Sequence, residues 1–216
     1  MRRAVFMLWI ITSLLITSST VIAMPPKITE FNPKQIAVAE AQMWKAYYDN
    51  DYPHLALSMV NILVAQFNVS HFQAISISIP AAKAARQFHR LSYGTSAAVY
   101  QRQVIPDLIL YYHRLKQATH RNDWQPEVLA QAELAWWVAR RENHQHEVKH
   151  VGARIAELYS LLYGVRNENI DRAGYLRAQA ADIRDRQSNQ NGVDWQTIED
   201  RLALSYHFLK FGINNK

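Results

Sequence analysis

Apolar side chains recur along this chain three and four positions apart and almost nowhere two apart, which is the periodicity of amphipathic helices. Ile36, Ala39, Met43, Trp44 and Tyr47 form the first such series. Asn32 and Pro33 suit the N-cap and first position of a helix, so the spacing predicts one from Pro33 to about Asp49. Pro53 opens a second, through Leu55, Met59, Ile62 and Leu63 to about Phe67. A third covers Phe72 to about His89, with Pro80 expected to kink or split it. The fourth, Ser96 to Ala118, is broken by Pro106 before Asp107, which leaves Leu108 to Leu115 as its firm part. Trp124-Gln125-Pro126 introduces a fifth, Glu127 to about Glu142, and a sixth runs from His146 to Tyr163, where Gly164 closes it. Glu168 to Arg186 reads as a charged seventh helix, and Asp194 caps an eighth that ends near Gly212.

The one stretch with period two is Ala74 to Ile79, where Ile and Ser alternate. Its flanks, Phe72-Gln73 and Ala81 to Ala85, continue the helical pattern, so it is read as helix. The expected fold is therefore all-α, a multi-helix bundle of about eight helices in antiparallel packed pairs. The polar run Gln187 to Asn191 reads as a linking loop.

Composition adds a leader and removes some function classes. Met1-Arg2-Arg3 is followed by an apolar stretch from Ala4 to Ile16, a polar Thr17-Ser18-Ser19-Thr20 and then Val21-Ile22-Ala23. This is the plan of an export signal cut after Ala23, giving residues 1–23 as signal peptide and 24–216 as a single helical domain. Retained instead, residues 4–23 would serve as an uncleaved membrane anchor. Export places the chain in the periplasm or outside the cell, and a membrane is a partner only if the N-terminal segment stays. The chain has no cysteine, so packing and not disulfides must hold the fold. Six Trp and eleven Tyr supply large apolar surfaces for that purpose. The net charge of +6 falls to +4 without Arg2 and Arg3, and the basic residues are interspersed with acids. No nucleic-acid partner is expected from such a pattern.

The stretch with the most specific chemistry is His146-Glu147-Val148-Lys149-His150, an H-E-x-x-H sequence. On a helix it sets two imidazoles one turn apart with a glutamate able to activate a zinc-bound water. Glu168 would be the third metal ligand. At about 100° per residue, however, Val148, Val151, Ile155, Leu158, Tyr159 and Leu162 form the apolar stripe. His146 and His150 fall on the opposite face, and the expectation is a solvated first turn.

Two acids lie where apolar residues belong. Glu40 falls within the stripe of Ile36, Met43 and Tyr47, and Glu133 borders the arc of Leu129, Ala132 and Trp136. Such carboxylates must be paired, hydrogen-bonded or protonated. Arg, Tyr or Trp donors are the expected partners, and for Glu133 a partner from another helix. Two interior glutamates also suit a di-metal carboxylate centre in a helical bundle, which would add Glu147 and His150 as its Glu-x-x-His element, with His89 or His113 as substitutes. The aromatic groups Trp44, Tyr47, Tyr48 and Tyr111, Tyr112 are read as core and helix-contact residues in preference to a ligand box. Asn68-Val69-Ser70 is a formal glycosylation acceptor.

Four segments, AEAQMWKAYY at 39–48, ELAWW at 133–137, AELY at 156–159 and YLRAQA at 175–180, together resemble a group of uncharacterised bacterial helical proteins. The resemblance spans most of residues 24–216 and implies a bacterial source, in which the export signal would deliver the chain to the periplasm or beyond, with no activity attached. The expectation is an exported, non-enzymatic interaction or structural protein that contacts a macromolecular partner in the envelope and carries no cofactor. The alternative is a metal-dependent enzyme, either a zinc hydrolase through residues 146–150 or a di-metal helical bundle.

Overall fold

A computed structural model describes residues 27–142, 147–187 and 192–215. The signal expected at residues 1–23 and the first residue of the H-E-x-x-H stretch, His146, lie outside the described residues. Those residues form nine α-helices and no strand: α1 (Pro33–Tyr48), α2 (Tyr52–Phe67), α3 (His71–Arg90), α4 (Ala97–Gln103), α5 (Ile105–Thr119), α6 (Pro126–Arg141), α7 (Val148–Tyr163), α8 (Glu168–Gln187) and α9 (Trp195–Asn214). No helix among them is long and apolar enough to cross a membrane.

Most boundaries fall where caps and prolines put them. Asn32 accepts from the backbone N–H groups of Lys34 and Gln35, and Asp194 from that of Thr197. Asn68, His120 and Gly164 end α2, α5 and α7 in the left-handed conformation. At α3 a full capping box forms: the Ser70 hydroxyl accepts from Gln73 N–H at 3.3 Å, while Gln73 Oε1 accepts from Ser70 N–H at 3.0 Å. Replacing Ser70 by Ala should lower stability by about 1 kcal/mol in denaturant unfolding.

Pro80 does not split α3, which runs unbroken from His71 to Arg90. Proline leaves the carbonyl four residues earlier without its helical donor, and Arg114 of α5 donates to that carbonyl, Ser76 O, at 2.5 Å. A neighbouring helix thus satisfies the group that would otherwise favour a break. Pro106 does mark a break, displaced to Val104, which closes α4 and opens α5. Ala74 to Ile79 is helical, as its flanks require.

The helices do not stand as separate pairs. Each packs on the next around a closed ring in the order α1, α2, α3, α5, α6, α7, α8, α9 and back to α1, with α4 bracing α3 and α5. Short connections such as 49–51 and 68–70 make successive members antiparallel. The C-terminal ends of α1, α3, α6 and α8 therefore gather at one end of the ring, here called the upper end. Pairwise packing gives way to a ring because helices such as α8 bury two flanks. Gly174 of α8 meets Gly152 and Ala156 of α7, while Ser205 of α9 donates to Ala173 O at 2.7 Å.

The lower end is sealed by large side chains. Gln66 of α2 donates across the ring to Tyr163 of α7 at 2.9 Å. The Trp124 indole donates to Leu162 O at 2.9 Å and meets Phe67 edge-on at 6.2 Å. Phe31 packs against both Tyr163 and Tyr206.

Candidate functional site

Eight helices in a ring are too many for their side chains to fill its centre, and a cavity of about 610 Å³ remains there, lined from every helix except α4. Tyr48, Tyr111, Glu133, Trp137 and Arg140 each retain accessible surface although they point inward from the ring, because that surface faces the cavity. The lumen reaches solvent at the upper end, where its lining includes Leu91 and the 59% exposed Tyr93.

Polar groups stand in the lumen at two levels. At mid-height Glu40 is almost wholly buried, 1% exposed. Its Oε1 accepts from Arg177 Nε at 2.8 Å and Nη2 at 2.5 Å, and its Oε2 accepts from the Tyr206 hydroxyl at 2.6 Å. Arg177 also stacks on Trp136, 4.8 Å from the ring centre. Burial works against the Arg177 charge, but Glu40 outweighs it and holds the guanidinium well above its usual pKa. Burial first, and Glu40 second, push the Tyr206 phenol well up.

Glu133 is held differently. Its Oε2 accepts from the Tyr112 hydroxyl at 2.6 Å, and its Oε1 from the indoles of Trp136 at 3.0 Å and Trp137 at 2.8 Å. All three donors are neutral. Among the described residues no Lys, Arg or His lies within ion-pair distance of it. The partner expected from another helix is present as Tyr112 of α5, but two of the three donors come from α6 itself, one turn further on. Burial, followed by the Glu133 charge, raises the Tyr112 phenol well above its ordinary range.

Seven and eight residues up the same helices, about 10–12 Å along the axis, stands a second level. Arg140 of α6 reaches across the ring: Nε and Nη2 donate to Asp185 of α8 at 2.9 and 3.0 Å, and Nη2 donates to the Tyr48 hydroxyl of α1 at 2.8 Å. Its guanidinium lies 4.9 Å from the Trp44 ring centre. Arg141 donates to the carbonyls of Phe88 and Leu91 at 2.6 and 3.0 Å, closing the C-terminus of α3. Arg184 lies over Tyr48 and makes one long contact to Asp185, at 3.4 Å. Its buried Nε has no hydrogen-bond partner. His89, beside Tyr47, is held below the usual imidazole pKa by burial and then by the charges of Arg141 and Arg184. Arginine charge therefore dominates the potential at this level.

The tyrosines give the site a pH signature. Burial pushes the Tyr47 and Tyr159 phenols up from 10.0 to about 12. Below pH 10 both are neutral folded or unfolded, so their contribution is complete. As pH rises from 10 toward 12 the unfolded chain ionises first, and folding stability falls through that window. Parallel tyrosinate absorbance and unfolding titrations should show late-ionising tyrosines and a falling unfolding midpoint above pH 10.

Glu40 is buried and Glu133 half-buried, and both line the one cavity. The Arg, Tyr and Trp donors expected for them are the ones found. Trp44, Tyr47, Tyr48, Tyr111 and Tyr112, read as helix contacts, line the lumen as well. Of the H-E-x-x-H residues, Glu147 and His150 are not brought there. Glu147 is the exposed N-cap of α7 and His150 is exposed in its first turn. Glu168 begins α8 at the far end of α7, about 20 Å away at 1.5 Å per residue. Among the described residues no cluster of three or more His, Asp or Glu is arranged to hold a metal. Arg177 was missed, although it had a signal: it interrupts the small apolar face of Ala173, Leu176 and Ala180 as Glu40 interrupts that of α1. Arg141 and Arg184 had none, because an arginine near a helix end ordinarily faces water.

Comparison of the chain with protein-family models, with curated proteins and with solved structures returns no match.

Proposed function

We propose that this chain is an exported, non-enzymatic envelope protein that works by binding, and that it binds a small organic molecule inside the helical ring. The observation that carries this reading is the lumen itself, about 610 Å³, within the range of sites that enclose small molecules. Its walls are largely aromatic and aliphatic, with a few polar groups fixed by mutual hydrogen bonds, which is the composition of a recognition site. A cavity of this size leaves facing side chains without partner atoms, and an apolar ligand would supply them. Export supplies the setting, with an envelope macromolecule as the expected donor or receiver of the ligand.

An environment-sensitive anilinonaphthalene dye tests the reading. It should bind the natively folded chain once per molecule. Ile62→Trp and Ala178→Phe, which fill the lumen from α2 and α8, should each reduce that binding at least tenfold while leaving the helical circular dichroism intact. Unchanged dye binding in both folded variants would place the ligand site elsewhere and defeat the proposal.

A further inference from the structure

The two levels of the lumen carry opposite excess charge, and that polarity specifies a ligand. Resting on the reading of the lumen as a small-molecule site, we infer that the ligand is amphoteric: a cationic nitrogen at mid-height against Glu133, and an anionic group near the mouth against Arg184 and Arg141, about 10–12 Å apart.

The inner end follows from Glu133. A carboxylate has about four acceptor positions; three are taken by Tyr112, Trp136 and Trp137, and the residue keeps accessible surface on the lumen. Among the described residues the only other charges lining this level, Glu40 and Arg177, are bound to each other, so Glu133 leaves it one negative charge in excess. A carboxylate in low-dielectric surroundings calls for a cation, and the surroundings are aromatic, with Tyr111, Tyr112, Trp136 and Trp137 beside it. Carboxylate and ring faces together are the chemistry that recognises an organic ammonium group.

The outer end follows from the arginines. Arg140, Arg141 and Arg184 line this level with Asp182 and Asp185, but Asp182 already pairs with Arg186 at 2.8 Å. Arg140 takes both oxygens of Asp185, which leaves Arg184 its single long contact. Arg141 spends its bonds on carbonyls and on the Tyr100 hydroxyl. With one long contact to Asp185 and its face on the Tyr48 ring, the Arg184 guanidinium lacks a full set of acceptors, and a carboxylate or phosphate at its terminal nitrogens would provide them. A simple cation would meet arginine repulsion at the mouth, and a simple anion would meet Glu133 within. A molecule carrying both charges, with an apolar body between, satisfies each level.

Calorimetric titration of the folded, signal-free chain with three rigid probes tests this. The first is biphenyl with an aminomethyl and a carboxylate group at opposite para positions; the second lacks the aminomethyl group and the third lacks the carboxylate. The amphoteric probe should bind at least tenfold tighter than either half-probe. Glu133→Gln should erase its advantage over the plain carboxylate, and Arg184→Gln its advantage over the plain amine. His89 should titrate higher when the amphoteric probe is bound, because a neighbouring anion offsets the arginine charge. Equal binding of the three probes, tighter binding of a half-probe, or no binding of the amphoteric probe would overturn the inference. The dye assay separates the failures: if lumen-filling variants still abolish dye binding, the lumen remains a site and only its charge selectivity is refuted. Retained dye binding in E133Q and R184Q shows that those variants fold, and the half-probe comparison needs no variant.

Discussion

Arg177→Met is expected to lower the unfolding free energy by about 3–5 kcal/mol, a fall in Tm of roughly 6–20 °C for a chain of this size. Arg177 is 9% exposed and Glu40 1%, so neither charge has water to fall back on. Methionine preserves most of the side chain's apolar stem, and the loss is therefore mainly that of the guanidinium. Glu40 would keep only the Tyr206 hydroxyl, leaving an uncompensated carboxylate in the interior, and that desolvated charge is the source of the cost. The partner substitution separates this from a packing defect. Glu40→Gln removes the charge while its amide oxygen can still accept from Tyr206, so E40Q/R177M should be more stable than R177M alone, with a coupling of about 2 kcal/mol. Simple addition of the two single effects in denaturant unfolding would show that the ion pair contributes nothing specific and that Arg177 acts through its stack on Trp136.

This pair also shows what was legible in the sequence. Local rules located the helices, because caps, prolines and apolar spacing act within a turn or two. Asn32, Gly164 and Asp194 each do at their own position what the sequence suggests. Local rules also exposed Glu40 and Glu133, since a charge within an apolar stripe is visible one helix at a time. The ring was not legible, because closure depends on α9 returning to α1 across most of the chain, and no periodicity records that contact. That Pro80 leaves α3 unsplit was hidden for a similar reason: the group that satisfies the freed carbonyl, Arg114, lies 38 residues from Ser76. The lumen was hidden by the same ambiguity that makes Trp44 or Tyr111 look like core. An inward-facing aromatic has the same spacing whether it meets a packed neighbour or a cavity. His150 and Glu168 are the converse case: their spacing in the sequence is specific, yet His150 is exposed in the first turn of α7 and Glu168 begins α8 at that helix's other end.

Gly174→Ala should cost about 3 kcal/mol or more, the upper end of what overpacking does, because it acts on the tight α7–α8 joint of the ring. A β-carbon at Gly174 would run into the carbonyl oxygen of Gly152, and would lie 2.7 Å from the backbone nitrogen of Ala156 and 2.8 Å from its β-carbon. Two of these neighbours are backbone of α7, which has no rotamer to change, so α7 and α8 must move apart as bodies. Alanine is ordinarily the better helix former by about 1 kcal/mol, so propensity alone predicts stabilisation, and the sign of the effect decides between the two terms. Separation would be felt on both faces of α8. Arg177 and Arg184 are carried on it, so the Glu40 pair and the upper arginine level would shift together, and dye or probe binding in the lumen should weaken along with stability. Gly152→Ala makes the same collision from the other side, with Tyr175 Cα at 2.8 Å. Because both substitutions force the same separation, the double variant should cost less than the sum of the two. A Gly174→Ala protein as stable as the parent in thermal unfolding would show that the two helices do not need their close approach, and the tight α7–α8 joint would lose its part in shaping the lumen.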